Sequence, residues 1–128
     1  MNKLADLQGM ILLETGISQW RFFLTFFELQ PDCKKSYRLF IDTDFTITPT
    51  PEAAISSDPA AVGMASLMVL SNDVVKRAEV SSGDELTISF ATGTVLKIAG
   101  LPNERLGGDT WWLVDAYTCY PKPETTDG

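Results

Sequence analysis

Histidine is absent from this sequence, and cysteine occurs only twice. The missing histidine removes the commonest general base, the commonest zinc ligand and every Ser-His or Cys-His nucleophilic pair. Cys33 and Cys119 lie far apart along the chain and do not form a pair with metal-binding spacing. No GxGxxG or GxxxxGK[ST] phosphate loop occurs either. These absences exclude the familiar nucleophilic, zinc-dependent and nucleotide-binding classes, so we predict no enzyme, no cofactor and no metal ion.

Signals for secretion or membrane insertion are also missing. The apolar run from Met10 to Leu13 is too short for a secretory signal, and no stretch approaches the roughly 20 apolar residues that cross a bilayer. We therefore expect a cytoplasmic protein without membrane contact. In that compartment Cys33 and Cys119 are predicted to be free thiols, although they would pair if both lay at one edge of a sheet.

Basic residues are few in comparison with acidic ones. Seventeen Asp and Glu against ten Lys and Arg give a formal net charge of -7 at pH 7. A field of this sign repels the phosphate backbone of nucleic acids and attracts basic surfaces. The charge therefore argues against nucleic acid as a partner and favours a basic protein.

The clearest structural pattern is the stretch from Val74 to Gly100, which predicts three short strands separated by turns. Leu86, Ile88 and Phe90 alternate with polar residues, the period of a strand with one buried face. The chain of 128 residues suits one domain. We place that domain at residues 1–120, and we expect 121–128 to be a flexible tail.

The first half is predicted to carry strands with aromatic residues on both faces. From Ile17 to Leu29, alternation places Trp20, Phe22, Leu24 and Phe26 on one side, and Arg21, Phe23, Thr25 and Phe27 on the other. Such a strand is either covered on both faces or presents one face to a partner, which permits a homodimer. Tyr37 to Ile41 and Phe45 to Ile47 are predicted to form the next two strands.

Helix signals are sparser. Residues 2–8 suit one or two helical turns, and Asp58-Pro59 is a strong helix start that predicts a helix over 59–70. Val62, Leu67 and Met68 are candidates for its packed side.

A last strand is predicted over 110–119. Its adjacent Trp111 and Trp112 must face opposite sides, so one of them should lie outside the core.

Together these elements predict an α+β fold that is mainly antiparallel β, either a sheet or sandwich or an open barrel of about six to eight strands. The strands fall into two similar units joined by the helix at 59–70. The repetition is visible in two sets of apolar residues with the same separation: Leu13, Ile17, Leu39 and Ile41, then Leu70, Val74, Leu96 and Ile98. Leu24-Thr25 and Leu86-Thr87 repeat with a shift in loop length.

Carboxylates are the remaining candidates for chemistry. Asp42 and Asp44 are two apart at a predicted strand end, where they would hold a divalent cation or act as an acid and base pair, or simply form a turn. Asp84 and Glu85 border a turn glycine. Glu104 and Asp109 flank Gly107-Gly108, in a loop that suits either binding or linkage. The aromatic residues would form the core or line a pocket for a small apolar ligand.

The pattern resembles small bacterial domains of uncharacterised function that are built as a repeated run of L-x-x-G-x-x-V, L-x-F and L-x-I, with an Asp-Pro helix between the copies. The matching residues are Leu13, Gly16, Ile17, Leu24, Phe26, Leu39, Ile41, Asp58, Pro59, Val74, Leu86, Ile88, Phe90, Gly93, Leu96, Ile98 and, on the final strand, Trp112. In size, acidity and lack of catalytic residues the chain is also similar to immunity proteins of bacterial toxin systems, including contact-dependent inhibition. That resemblance implies a protein that binds a cognate toxin domain, commonly a basic nuclease, and blocks it.

Our leading hypothesis is therefore a non-enzymatic binder of a basic toxin, in which surface acids steer the encounter and exposed aromatics anchor it. The residues that we predict for its partner-binding surface are Asp42, Asp44, Asp84, Glu85, Glu104, Asp109 and Trp111. A small-ligand-binding β domain and a carboxylate-dependent enzyme are the alternatives.

Overall fold

A computed structural model describes residues 3–19, 21–29, 35–49, 59–100 and 110–116. The fold is α+β and mainly antiparallel β, as the sequence predicts. The elements in chain order are α1 (Lys3–Leu7), β1 (Ile11–Ser18), β2 (Arg21–Phe27), β3 (Ser36–Ile41), β4 (Phe45–Thr48), α2 (Pro59–Met68), β5 (Val75–Val80), β6 (Leu86–Phe90), β7 (Val95–Ile98) and β8 (Trp111–Asp115).

The strands form two antiparallel sheets of four strands each. Sheet A has the order β1-β2-β3-β8, and sheet B has the order β4-β7-β6-β5. In each sheet three strands that follow one another in sequence form a meander, and a strand from the other half of the chain is added beside the third. The short strands and tight connections suit this local meander topology.

The core lies between the inward faces of the two sheets. Alternation places every second residue of the central strands there, and Leu24, Leu39, Ile88 and Leu96 are completely buried. Fully buried apolar side chains come from α1, α2 and six of the strands or their flanks: Leu7, Met10, Leu12, Leu24, Phe26, Leu39, Ile41, Leu67, Leu70, Val75, Leu86, Ile88, Phe90, Leu96 and Ile98. Burial of this apolar surface is the main force that stabilises the fold.

Two predictions about element bounds are corrected. The stretch from Ile17 to Leu29 is not one strand, because the chain turns at Gln19, a residue with φ of 52°, and β1 pairs with β2 as a hairpin. The predicted alternation within β2 is confirmed, with Leu24 and Phe26 buried. The second correction concerns α2, which ends at Met68 and not at residue 70. Of its predicted packed residues, Leu67 is buried, Met68 is 57% exposed, and the side chain of Val62 lies outside the described part of the structure.

The internal repetition is present in the backbone, down to its irregularities. β1 has a bulge at Leu13, between residues that pair with Phe26 and Thr25. β5 has a bulge at Lys76, 63 positions further along. Because bulges are specific local departures from strand pairing, their occurrence at matching positions supports two related units.

The two units meet through reciprocal hydrogen bonds around the single bridge between Ile11 and Val74. The amide of Gly9 donates to the carbonyl of Val75 at 2.8 Å, and the amide of Asn72 donates to the carbonyl of Leu12 at 2.7 Å. Gly9 and Asn72 both have positive φ, at 89° and 68°. The bridge therefore lies on an approximate two-fold axis that relates the two halves.

A second reciprocal pair of hydrogen bonds ties the exchanged strands. The Asp42 amide donates to the Thr110 carbonyl at 2.8 Å, and the Ala99 amide donates to the Asp44 carbonyl at 2.9 Å. Each bond joins the residue after one unit's third strand to the residue before the other unit's fourth strand. The fourth strands, β4 and β8, thus complete each other's sheets.

The registers also correct how the two units align. Leu39 and Ile41 do correspond to Leu96 and Ile98, as predicted. The buried Leu24, however, occupies the position of Ile88 and not that of Leu86, because Leu24 pairs with Leu39 and Ile88 pairs with Leu96. In the same way Ile17, which pairs with Phe22, corresponds to Val80, and Leu13 corresponds to Lys76 at the bulge.

Some of the sequence-based predictions concern residues that lie outside the described ranges: Cys33, Cys119, Asp58 and 121–128. Of the helices in the described part of the chain, none combines the length and the apolar character needed to cross a membrane.

Candidate functional site

Two surfaces are candidates, and the first is formed by predicted acidic residues at one end of the sheets. Asp42 and Asp44 lie in the connection from β3 to β4, and Asp84 and Glu85 lie immediately before β6. Strand pairing joins these positions, because Phe45 pairs with Ile98 and Ile98 pairs with Leu86. We call Asp42, Asp44, Asp84 and Glu85 the acidic end.

The acidic end reaches solvent unevenly. Asp44 and Asp84 are exposed, whereas Asp42 and Glu85 are half-buried. Asp42 lies 3.7 Å from the Arg21 Nε and is partly neutralised there. Asp84 has a φ of 62° in the turn between β5 and β6, where its amide donates to the Ser81 carbonyl at 3.0 Å. Asp44 and Asp84 are thus the carboxylates most available to a partner.

Trp111 borders the acidic end from the core side. Its ring packs against the buried cluster, and its indole Nε1 donates a 2.9 Å hydrogen bond to the Asp84 carbonyl. Trp112 is the member of the pair that faces outward. Of the predicted partner-binding residues, the structure brings together Asp42, Asp44, Asp84, Glu85 and Trp111, whereas Glu104 and Asp109 lie outside the described residues.

The second surface is a row of three aromatic rings across the outward side of sheet A. Phe23 pairs with Phe40, and Phe40 pairs with Trp112, so strand pairing sets the rings side by side on β2, β3 and β8. The Phe40 and Trp112 rings stack with centroids 5.3 Å apart, and the Phe23 and Phe40 centroids are 6.1 Å apart. We call Phe23, Phe40 and Trp112 the aromatic row. All three are half-buried.

The aromatic row begins at a glycine. Gly16 on β1 pairs with Phe23. A Cβ at Gly16 would lie 2.5 Å from the Phe23 Cζ, so only a residue without a side chain leaves room for the ring. The Phe23 ring covers the gap that the glycine leaves in the sheet.

A hydrogen-bonded polar row runs beside the aromatic row. Arg38 donates through Nε to the Thr25 Oγ1 at 3.0 Å and through Nη2 to the Glu14 Oε1 at 2.9 Å. Thr25 in turn donates to the Glu14 Oε1 at 2.8 Å. The Arg38 guanidinium also lies 4.5 Å from the Phe23 ring centroid. The arginine is thus held over the Phe23 ring by three contacts with β1 and β2.

A second arginine, Arg21, lies at the other end of the aromatic row. The Arg21 guanidinium lies 5.2 Å from the Trp112 ring, next to Asp42. The outward side of sheet A therefore carries two arginines and two acids, Glu14 and Asp42, within an aromatic surface. Side chains of Arg38 and Glu14 remain 35% and 49% exposed, so the surface reaches solvent.

Sheet B shows what the same backbone carries without an aromatic row. At the positions equivalent to Phe23, Phe40 and Trp112, it has Thr87, Lys97 and Thr46, which pair in the same order. Glu79 takes the place of Gly16. The outward side of sheet B is thus an ordinary polar face, although the sheets share their inward pattern.

The sequence reasoning missed the aromatic row as a unit. Alternation alone places Phe23, Phe40 and Trp112 on the side of their strands away from the core, so each was identifiable separately. Their assembly depends on the pairing of β3 with β8, which joins residues about 70 positions apart. No local pattern specifies that pairing.

A buried tyrosine provides the clearest titration effect, at the opposite end of β3. The Tyr37 hydroxyl donates a 2.7 Å hydrogen bond to the Asp6 Oδ2, and the Lys35 Nζ lies 3.6 Å from the same oxygen. The hydrogen bond from Tyr37 lowers the pKa of Asp6 below its usual 3.8. The same bond, together with burial, raises the pKa of Tyr37 to about 12. The pair ties α1 to sheet A.

Within the described ranges, no group of three or more Cys, Asp or Glu side chains is arranged to hold a metal ion. Comparison of the chain with protein-family models, curated proteins and solved structures gives no match. Function must therefore be inferred from the geometry of this chain.

Proposed function

We propose that this protein is a non-enzymatic binding protein that occupies and neutralises a basic partner protein, in the manner of the immunity proteins that block bacterial toxin domains. The proposal rests on one observation: the fold gathers Asp44 and Asp84, both exposed, with Asp42 and Glu85 at one end of the sheets. The proposed setting is the cytoplasm.

The charge of the chain supports this role. A net charge of -7 produces an attractive field for a basic partner, and the acidic end concentrates part of it. Charged rims of this kind speed the encounter and select the partner, whereas the affinity comes from groups that lose contact with water. Trp111, next to the acidic end, supplies an aromatic side chain for such a contact.

The test is binding between the whole chain and the toxin domain encoded by an adjoining gene, measured by surface plasmon resonance over a range of salt concentrations. We expect association to slow steeply as salt rises, because salt screens the attraction. The double charge reversal Asp44→Lys/Asp84→Lys should slow association by roughly tenfold or more.

A matched control changes the net charge equally at another place. The exposed residue Asp115 lies at the end of β8 that pairs with Tyr37, away from the acidic end. Asp115→Lys should slow association much less than the single reversal Asp84→Lys, which changes the net charge by the same amount. Equal slowing by the two variants, or binding that salt leaves unchanged, would contradict the proposal.

A further inference from the structure

The aromatic row calls for an explanation that the fold alone does not provide. The two units share their strand registers, bulges and inward apolar pattern. Sheet B nevertheless forms with Thr87, Lys97 and Thr46 where sheet A has Phe23, Phe40 and Trp112. Aromatic residues at these outward positions are therefore not a requirement of the backbone. A contiguous aromatic surface of this kind marks an interaction site.

The charges on the outward side of sheet A indicate which kind of molecule binds to it. Arg38 is paired with Glu14, and Arg21 lies beside Asp42, so the surface is neutral although the chain carries a net charge of -7. A basic partner gains no net attraction there and is drawn instead to the acidic end. Two copies of this acidic chain, however, can meet at this neutral surface without bringing like charges together.

We infer that the outward side of sheet A is the interface of a homodimer, in which a second copy of the chain packs its aromatic row against the first. Such an interface uses the same surface patch on both copies. Face-to-face packing places two sheets about 10 Å apart with interdigitating side chains. Arg21 and Arg38, which lie over aromatic rings, have the composition of interface centres. This inference is independent of the proposed function, because Asp44 and Asp84, the exposed carboxylates of the acidic end, precede strands of sheet B and lie outside the outward side of sheet A.

The test is sedimentation of the whole chain over a concentration series, with an exchange of side chains between equivalent positions. Wild type should reach a mass near twice the 14.1 kDa of one chain. Phe40→Lys/Trp112→Thr, which gives sheet A the residues of sheet B, should raise the dimer dissociation constant by roughly 30-fold or more. Thr46→Ala/Lys97→Ala is the matched control on sheet B and should leave the dimer intact. Circular dichroism checks that each variant is folded.

A charge pair keeps the inference testable if the exchanged variant fails to fold. Arg38→Glu places a second carboxylate beside Glu14 and should weaken the dimer by roughly tenfold. Adding Glu14→Arg restores a neutral surface and should recover most of the lost dimer affinity. Asp44→Lys/Asp84→Lys should leave the dimer unchanged, which separates this inference from the proposed function.

Several results would overturn the homodimer. Wild type that stays monomeric at all concentrations would do so, as would exchanged or charge-reversed variants that dimerise as wild type does. Dissociation by the sheet B control would show that the interface lies elsewhere. A monomeric chain that loses its toxin-domain binding when the row is exchanged would assign the surface to that partner.

Discussion

The outward sides of the two sheets differ, although the sheets are built on the same registers. Sheet A carries Phe23, Phe40 and Trp112 in a row, and sheet B carries Thr87, Lys97 and Thr46 at the equivalent positions. The inward sides are alike, since both are filled by buried Leu, Ile and Phe. The comparison separates residues that the fold needs, which repeat, from residues that the backbone does not require, which do not.

Substitution of equivalent inward residues should destabilise the protein equally, and this is the largest effect that we predict. Leu24 and Ile88 are completely buried at matching positions. Leu24→Ala and Ile88→Ala should each lower the free energy of unfolding by roughly 2–5 kcal/mol, because each removes buried apolar volume and leaves a cavity. Urea denaturation measures both. If only one of the two substitutions lowered the free energy of unfolding by less than about 1 kcal/mol, the two inward sides would not be equivalent.

Substitutions at equivalent outward positions should have unequal effects on the free energy of unfolding. Gly16→Ala pushes a Cβ into the Phe23 ring and should lower the free energy of unfolding by about 1 kcal/mol. Glu79→Ala, at the matching position of sheet B, should change it by less than about 0.5 kcal/mol. In a Phe23→Ala background the Gly16→Ala penalty should vanish, since the clashing ring is gone. A penalty that persists there would assign the cost to the backbone of β1.

A further difference between the two sheets is expected in their pH dependence. Tyr37 has a folded pKa of about 12, above its ordinary 10.0, so its contribution to stability is complete below pH 10 and is lost as pH rises toward 12. The pKa of Asp6 is lowered, so its contribution is present above the ordinary pKa of 3.8 and is lost as pH falls below it. Thr94, equivalent to Tyr37 in sheet B, does not titrate.

Thermal unfolding of wild type and Tyr37→Phe across pH measures this effect. The destabilisation caused by Tyr37→Phe should shrink between pH 10 and pH 12, because ionised Tyr37 no longer donates, and it should shrink again in acid, because protonated Asp6 is a weaker acceptor than the carboxylate. Thr94→Val is the matched variant and should show no such dependence. A Tyr37→Phe difference that stays constant with pH would contradict the role of the Asp6 contact.

Much of the fold could be predicted from local alternation. The three strands between Val74 and Gly100, the two-sided pattern of β2 and the opposite orientations of Trp111 and Trp112 all follow from the two-residue period of a strand. The prediction of one strand from Ile17 to Leu29 overlooked the hairpin turn at Gln19, although the polar pair Ser18-Gln19 interrupts the apolar alternation there. The exchange of β4 and β8 between units is non-local and leaves no mark in either strand.

The candidate site was predictable only in part. Asp42, Asp44, Asp84 and Glu85 were identifiable as turn carboxylates, and the registers then bring them to one end. The aromatic row depends on the order of three strands, which alternation does not determine. Only the structure aligns the two halves by their bulges, at Leu13 and Lys76, and in that alignment the aromatic positions have no counterparts in sheet B.

The contrast between the two outward sides is tested most directly by two-dimensional NMR of the wild-type chain during dilution. We predict that dilution shifts the signals of Phe23, Arg38, Phe40 and Trp112, because their surface is uncovered as the dimer dissociates. The signals of Thr46, Thr87 and Lys97 should stay constant. Spectra that do not change with concentration, or changes confined to sheet B, would contradict the account.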